Sequence, residues 1–402
     1  MDVYQRGPDY IAEDTNITFR FSKITEHSDG YSAWMTVTTD GLPGVVNGSI
    51  FNSKIQFGGP NSKRDAAKEC NDRVRLEDID WRGLIEEAIF KVMAHLEEGE
   101  PILDLGTVDL PGPKKYLIHP LVAEEVTMIY ALGGSGKSLF VLDLLAQLSR
   151  DGVKCLFVDW EDSWETHAHR LDMLTRGQGY GVRPAVRYKR MEGSLISQGD
   201  ALSRQIAAEG IHFAAFDSVG LACSPEPERA EAATGYMRVV RSLNLRGSLH
   251  IAHHRKEEDK YPFGSIFWYN SVRSLWLLKK THEIGSGDME VGLYHKKVNN
   301  GITHKAQGYS LQFGANSVSI TKTDVTKIID LRKELSIAMQ IEAAISDLQG
   351  YGTRDAVFQK CKDANESLKR ESFNRTVRRL VDNGKVADAG NRLYLKDMAE
   401  LG

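Results

Sequence analysis

Apolar and polar residues alternate in ITFRFSKI (17–24), YSAWMTVTT (31–39) and SIFNSKIQF (49–57), the period-two pattern of strands buried on one face. SKRDAAKECNDR and WRGLIEEAIFKVMAHLEE follow with helical spacing, which predicts a small antiparallel sheet closed by two helices over residues 1–100. The prolines and glycines of GEPILDLGTVDLPGPKKY read as a linker, 101–114.

From 115 to 325 the pattern changes: short apolar runs of strand length alternate with helical segments, predicting an α/β domain with a mostly parallel sheet. VKCLFVDW, IHFAAFDSV and GSLHIAHH are such runs, each ending in polar residues on the side where α/β sheets bind ligands. SLWLLKK, EVGLYHKKV and YSLQFGANSVSI are expected to continue the sheet as an antiparallel extension. From 326 to 402, three helical segments precede KVADAGNRLYL, a hairpin turning at Ala389-Gly390-Asn391. Three helices and a hairpin predict a winged helix-turn-helix.

The sharpest chemistry lies in YALGGSGKSLFVLDLL (130–145), which follows the apolar run EEVTMIYA. Gly133, Gly134 and Gly136, with Ser135 among them, let successive backbone N–H groups turn into one concave nest at a helix N-terminus, an anion site. Lys137 can reach the β- and γ-phosphates of a nucleoside triphosphate, and Ser138 can ligate Mg²⁺. Ala131 stands where the G-x-x-x-x-G-K-[ST] pattern has its first glycine.

Triphosphate hydrolysis also needs a carboxylate for the metal, a group that orients water and positive charge on the transition state. Asp217, after the apolar run FAAF, is placed as a Walker B carboxylate; a turn-capping role is the plainer alternative. Glu161, in FVDWEDSW, is the candidate to activate water, Asp162 competes with it, and Asp159 inside the run reads as structural. His253 or His254 could sense the γ-phosphate.

These residues, in this order and together with NSVR (270–273) and HKKVNNG (295–301), resemble the RecA-fold hexameric ATPases, above all the RepA-type replicative helicases of plasmids and phages. The resemblance covers about half of the chain and implies a RecA-like P-loop core that uses ATP and Mg²⁺. It implies Lys137 and Ser138 on phosphates and metal, Glu161 as catalytic base, Asp217 as Walker B residue and His253 as γ-phosphate sensor. Arg273 would be an arginine finger given to the neighbouring subunit of a homo-oligomer, a hexamer in this family, and Lys297 would lie near the same shared nucleotide site.

The net charge of −4 excludes a globally basic nucleic-acid coat, so DNA would have to be held by local patches. Single-stranded DNA through the ring could meet Arg255, Lys256, Lys260, Tyr261 and Phe263 of RKEEDKYPFG, whereas the loop after Asp217 is acidic. Duplex could meet Arg370, Arg375, Arg378 and Arg379 of the winged helix, or that surface could face protein. Cys70, Cys155, Cys223 and Cys361 show neither zinc spacing nor a disulfide framework, and no run suits a membrane span or signal peptide, so a cytoplasmic location is expected. The resulting expectation is an ATP-dependent, ring-forming DNA helicase of a phage or other mobile element. A DNA-binding ATPase that does not unwind (a loader, recombination mediator or regulator) is the alternative, and a small-molecule P-loop kinase is less consistent with Arg273 and the extra strands.

Overall fold

The computed structural model describes residues 1–6, 9–27, 30–40, 48–74, 79–98, 102–109, 112–223, 226, 228–254, 259–281, 287–299 and 301–396. The chain divides into two compact units: Met1–Pro113 with Leu195–Gly210 and Tyr236–Asn244, and Lys114–Ser194 with Ile211–Gly235 and Leu245–Gly402.

The first unit contains an antiparallel sheet in the order of the chain, β1 (Asp2–Arg6), β2 (Asp9–Asp14), β3 (Ile17–His27), β4 (Gly30–Thr39) and β5 (Gly48–Gln56). The alternation in β3 and β4 buries Phe19, Phe21, Met35 and Val37. These pack with Ile85, Ala88, Ile89 and Val92 of α2 (Trp81–Glu98) and with Ala66 and Cys70 of α1 (Pro60–Arg73). The first two strands carry too few apolar alternations to stand out in the sequence. The segments Leu195–Gly210 and Tyr236–Asn244, from the middle of the chain, complete this unit, and the Arg204 guanidinium lies 3.1 Å from Asp9.

The second unit begins with the short pair β6 (Tyr116–Ile118) and β7 (Val122–Ala123), followed by β8 (Val126–Ala131), α3 (Lys137–Arg150), β9 (Cys155–Asp159), α4 (Trp164–Gly177) and β10 (Val186–Arg190). After α5 (Leu195–Glu209) come β11 (Phe213–Asp217), α6 (Val219–Ala222), α7 (Ala230–Ser242), β12 (Gly247–His253), α8 (Ile266–Ser271) and β13 (Ser274–Thr281). Then β14 (Asp288–Val298), β15 (Gln307–Phe313) and β16 (Val318–Thr323) complete one nine-stranded sheet, ordered β10-β9-β11-β12-β8-β13-β14-β15-β16. It is the large, mostly parallel sheet of a mixed α/β domain, consistent with a RecA-like core. Its central strands β8, β9, β11 and β12 are buried along nearly their whole length, and Phe140, Val141, Leu144 and Leu145 of α3 share one core with Phe157, Phe213, Leu249 and Trp276.

SLWLLKK, expected from the sequence to begin the antiparallel extension, does not do so. β13 pairs parallel with β8, Leu275 beside Met128, and the antiparallel pairs start at β14. Buried Leu275, Trp276, Leu277 and Leu278 form a continuous apolar run, which suits a central parallel strand.

After β16, α9 (Ile337–Asp347), β17 (Tyr351–Thr353), α10 (Arg354–Ala364), α11 (Arg370–Asp382), β18 (Val386–Ala389) and β19 (Arg392–Leu395) enclose a separate small core of Ile341, Ile345, Val357, Phe373, Val377, Leu380 and Leu393. The three strands are ordered β17-β19-β18, and the hairpin turns at Gly390 and Asn391, both at positive φ. No helix among the described residues is long and apolar enough to cross a membrane.

Candidate nucleotide site

The loop 132–136 leaves the carboxyl end of β8 and opens α3. Gly134 (φ 68) and Gly136 (φ 79) lie in the left-handed region, where a side chain is strained. At Gly136 space is short as well: a Cβ would meet Met289 Cε at 2.7 Å. Ala131 causes no conflict at the position of the missing first glycine, because it is the last residue of β8 and fully buried in the core. Ser135 Oγ donates to Leu132 O at 2.7 Å and holds the loop in its curve.

A cleft of about 450 Å³ opens over this loop, lined by Gly134, Ser135, Gly136, Lys137, Ser138, Glu161, Asp217 and His253. Sequence-predicted residues from four strand ends thus meet in one place, because β8, β9, β11 and β12 are parallel neighbours and share a carboxyl edge. Lys137 is 5 % exposed and its Nζ donates to Leu132 O at 2.9 Å. Burial lowers its pKa, while Asp217 and Glu161 oppose that shift.

His253 joins the catalytic candidates. Its Nδ1 lies 3.4 Å from Lys137 Nζ and its Nε2 3.2 Å from Glu161 Oε1. An ammonium has only donors, so Nδ1 accepts and Nε2 carries the hydrogen offered to Glu161. That bond, with help from the Ser218 hydroxyl and against the opposing effect of burial, holds the Glu161 carboxyl below the usual range. Glu161 is therefore ionised at neutral pH, the form that can accept a hydrogen bond from a water molecule in the cleft. His254 turns elsewhere, its ring edge-on to Tyr130 with 6.2 Å between centroids.

Asp162 is spent locally: its Oδ2 lies 3.2 Å from Arg170 and its Oδ1 accepts from Ser163 N. Asp159, read from the sequence as structural, has a more specific task. Its fully buried carboxylate accepts Glu161 N–H at 2.9 Å and Asp162 N–H at 3.0 Å, and is braced by Tyr188 and His167. It fixes the backbone from which Glu161 projects.

Asp217 and Ser138 fit a hard cation, since a carboxylate and a hydroxyl, bonded to each other, offer oxygen donors beside the phosphate loop. Bound there, Mg²⁺ would neutralise charge on the β- and γ-phosphates. Burial pushes the Asp217 carboxyl up to about 6, opposed by Ser138 and reinforced by Glu161. The folded chain therefore holds more protons than the unfolded chain between pH 3.8 and about 6, and ligand-free stability falls as pH rises through that window. Asp217→Asn removes the ionisation cost, on the order of 3 kcal/mol at neutral pH. The variant is expected to melt higher than the parent without ligand and to lose Mg²⁺-dependent turnover. Equal melting points would show that the carboxylate ionises there without cost.

Arg273 and Lys297 lie together, but at the other end of the sheet. Arg273 N donates to Val126 O at the start of β8, so the length of that strand, about 16 Å, separates it from the chain's own phosphate loop. The Arg273 side chain is exposed. Lys297 Nζ donates to Tyr269 O (2.6 Å), Asn270 O (3.2 Å) and Val272 O (3.0 Å), using its three hydrogens to tie down the segment that presents Arg273.

The cleft includes residues that the sequence alone does not single out: Arg170, Lys280, Met289 and Phe313. Lys280 Nζ donates to Gly134 O at 2.6 Å. The polar end of SLWLLKK is the signal for Lys280, and reading that segment as part of the antiparallel extension hides it. Of the loop considered for single strands, Arg255 and Lys256 lie outside the described residues. Lys260 Nζ stands 5.1 Å from the Tyr261 ring, and Phe263 N returns to His253 O at 2.7 Å.

Residues 101–259 match the AAA domain family. None of the curated proteins matches the chain. Similar solved structures include a KaiC-like protein from the hyperthermophilic archaeon Pyrococcus horikoshii OT3, 10% identical, covering 49% of this chain and 89% of that one with a TM-score of 0.38. A second solved structure, an isolated ATPase domain, is 14% identical and covers 48% of this chain and 82% of that one, with a TM-score of 0.37. Phosphate loop, the carboxylates that line the cleft beside it and the family match together describe a P-loop NTPase domain, similar to the AAA family over residues 101–259.

Proposed function

We propose that the chain is an ATP- and Mg²⁺-dependent DNA motor that assembles as a ring, a hexamer, hydrolyses ATP between subunits and unwinds DNA as a replicative helicase of a phage or other mobile element. One observation carries this reading. The cleft brings the phosphate loop with Lys137 and Ser138 together with Asp217 and Glu161, while the exposed Arg273 stands about 16 Å away at the opposite edge of the same sheet. A subunit built in this way lends Arg273 to its neighbour. The motor assignment rests on this chain's own residues. The test is strand displacement from a tailed duplex with ATP and Mg²⁺. Displacement that Lys137→Ala abolishes supports the helicase; DNA-stimulated hydrolysis without displacement would make the protein a non-unwinding ATPase such as a loader.

We infer that α9, β17, α10, α11, β18 and β19 form a winged helix and that α11 contacts duplex, a reading that their order along the chain supports. Phe373, Val377 and Leu380 are buried, while Arg375, Arg378 and Arg379 are exposed on the same helix. Arg370 is already engaged with Asp355. Changing Arg375, Arg378 and Arg379 to alanine is expected to weaken duplex binding similarly across sequences, and to reduce the salt slope by about one unit per lost contact. An unchanged slope would assign this surface to protein.

A further inference from the structure

The amino-terminal sheet has a second face that the ATPase chemistry does not use. Phe19, Phe21, Met35 and Val37 point into the α1–α2 core. The alternate residues point away, and cross-strand register sets them in two rows: Ser22, Trp34 and Lys54, and Arg20, Thr36 and Asn52. Trp34 is 42 % exposed, against near-complete burial of the neighbouring Ala33 and Met35. Its Nε1–H is donated to Asn52 Oδ1, which also accepts from Thr36 Oγ1 at 3.1 Å. Asn52 is a diagonal neighbour in the next row, so the indole must lie along the sheet to reach it, which turns one π-face outward.

We propose that this face binds single-stranded nucleic acid, with Trp34 as the platform on which an unpaired base stacks and Lys54 and Arg20 as the phosphate contacts on either side. Three observations favour this occupant. The ring is held in place before any ligand arrives, so stacking costs little ordering. The charge is complementary: Lys54 stands directly across from Trp34, and the Arg20 side chain is half-exposed on the other flank. Among the described residues, the outward positions of β4 and β5, and those of β3 from Thr18 to Ser22, hold no carboxylate; on β2 beside them Asp9 is buried between Arg20 and Arg204, and Glu13, across from Thr18, accepts from the Tyr4 hydroxyl at 2.8 Å. A duplex hides its base faces, whereas a single strand offers them.

This inference does not rest on the motor reading, and it is tested without nucleotide. The probe is a fluorescein-labelled oligothymidylate titrated into the full-length chain, followed by ultraviolet crosslinking and peptide mapping. Trp34→Ala is expected to weaken binding by about 5- to 100-fold, and Trp34→Phe to stay within about threefold of the parent, since a ring remains. Arg20→Gln with Lys54→Gln should flatten the salt slope by about 1.4, two phosphates' worth for a single strand. Crosslinks are expected in β4. Because Trp34 and Lys54 lie outside the core, melting points should match the parent's and rule out unfolding as the cause. The proposal is overturned if the parent fails to bind the oligonucleotide, if Trp34→Ala binds as the parent does, or if crosslinks map only outside residues 17–56. An acidic peptide that competes for Trp34 while the oligonucleotide does not bind would overturn it in favour of a protein partner.

Discussion

Glu161→Gln is expected to bind ATP as the parent does and to turn it over about 100- to 10,000-fold more slowly. The substitution keeps the side chain's size and its hydrogen bond from His253 Nε2, now at 3.2 Å from the carboxylate, but removes the charge that polarises water. Lys137→Ala should lose turnover by a different route, since the point charge on the β- and γ-phosphates goes and binding suffers as well. Asp159→Asn separates positioning from chemistry. An amide oxygen can accept Glu161 N–H or Asp162 N–H, which lie 2.9 and 3.0 Å from the two carboxylate oxygens, but no longer both. Turnover should fall by about tenfold while binding holds, because positioning contributes a large share of phosphoryl transfer. Equilibrium binding of a fluorescent ATP analogue, measured beside steady-state hydrolysis, checks all three. Normal hydrolysis by Glu161→Gln would remove Glu161 from the mechanism and make Asp162 the next candidate.

Arg273→Ala is expected to lower turnover by about a thousandfold or more and leave nucleotide binding intact. The planar, permanently charged fork suits a transition-state phosphate, so Arg273→Lys should recover little. Mixing experiments decide whose site the arginine serves. Lys137→Ala subunits retain Arg273, and Arg273→Ala subunits retain the phosphate loop; mixed assemblies should contain some composite sites with both and regain part of the activity. If the subunits exchange and the mixture stays inactive, Arg273 does not act across an interface. The backbone bonds of residue 273 to Val126 O and from Asn299 N survive the substitution, so a lower melting point would instead reveal a structural role of the guanidinium itself.

The legible parts of this protein are those where neighbours in sequence are neighbours in space. The loop 132–136 needs only its glycines and the strand and helix beside it, and the hairpin at Gly390-Asn391 needs only residues that tolerate positive φ. The helices of residues 60–98 announce themselves through apolar spacing, as do those of 337–382. Strands with weak patterns are less legible. β10 (Val186–Arg190) is polar at every other step and half-buried at a sheet edge, so no apolar run marks it.

By itself, the sequence determined the phosphate loop, the identities of Lys137, Ser138, Glu161, Asp217 and His253, and the alternation of strands and helices that carries them. Those are local matters of backbone freedom, side-chain chemistry and hydrophobic period. Only the tertiary structure decided which polar strand ends share an edge, because strand order and direction are settled by packing between distant segments. Parallel pairing of β13 with β8 is the clearest case. It brings Lys280, at one end of a single strand, to Gly134, and places Arg273, just before the other end, beside Val126. A strand is rigid and extended, so its two ends cannot serve the same cleft. That separation, invisible in the letters NSVRSLWLLKK, is what the proposed sharing of Arg273 between subunits rests on.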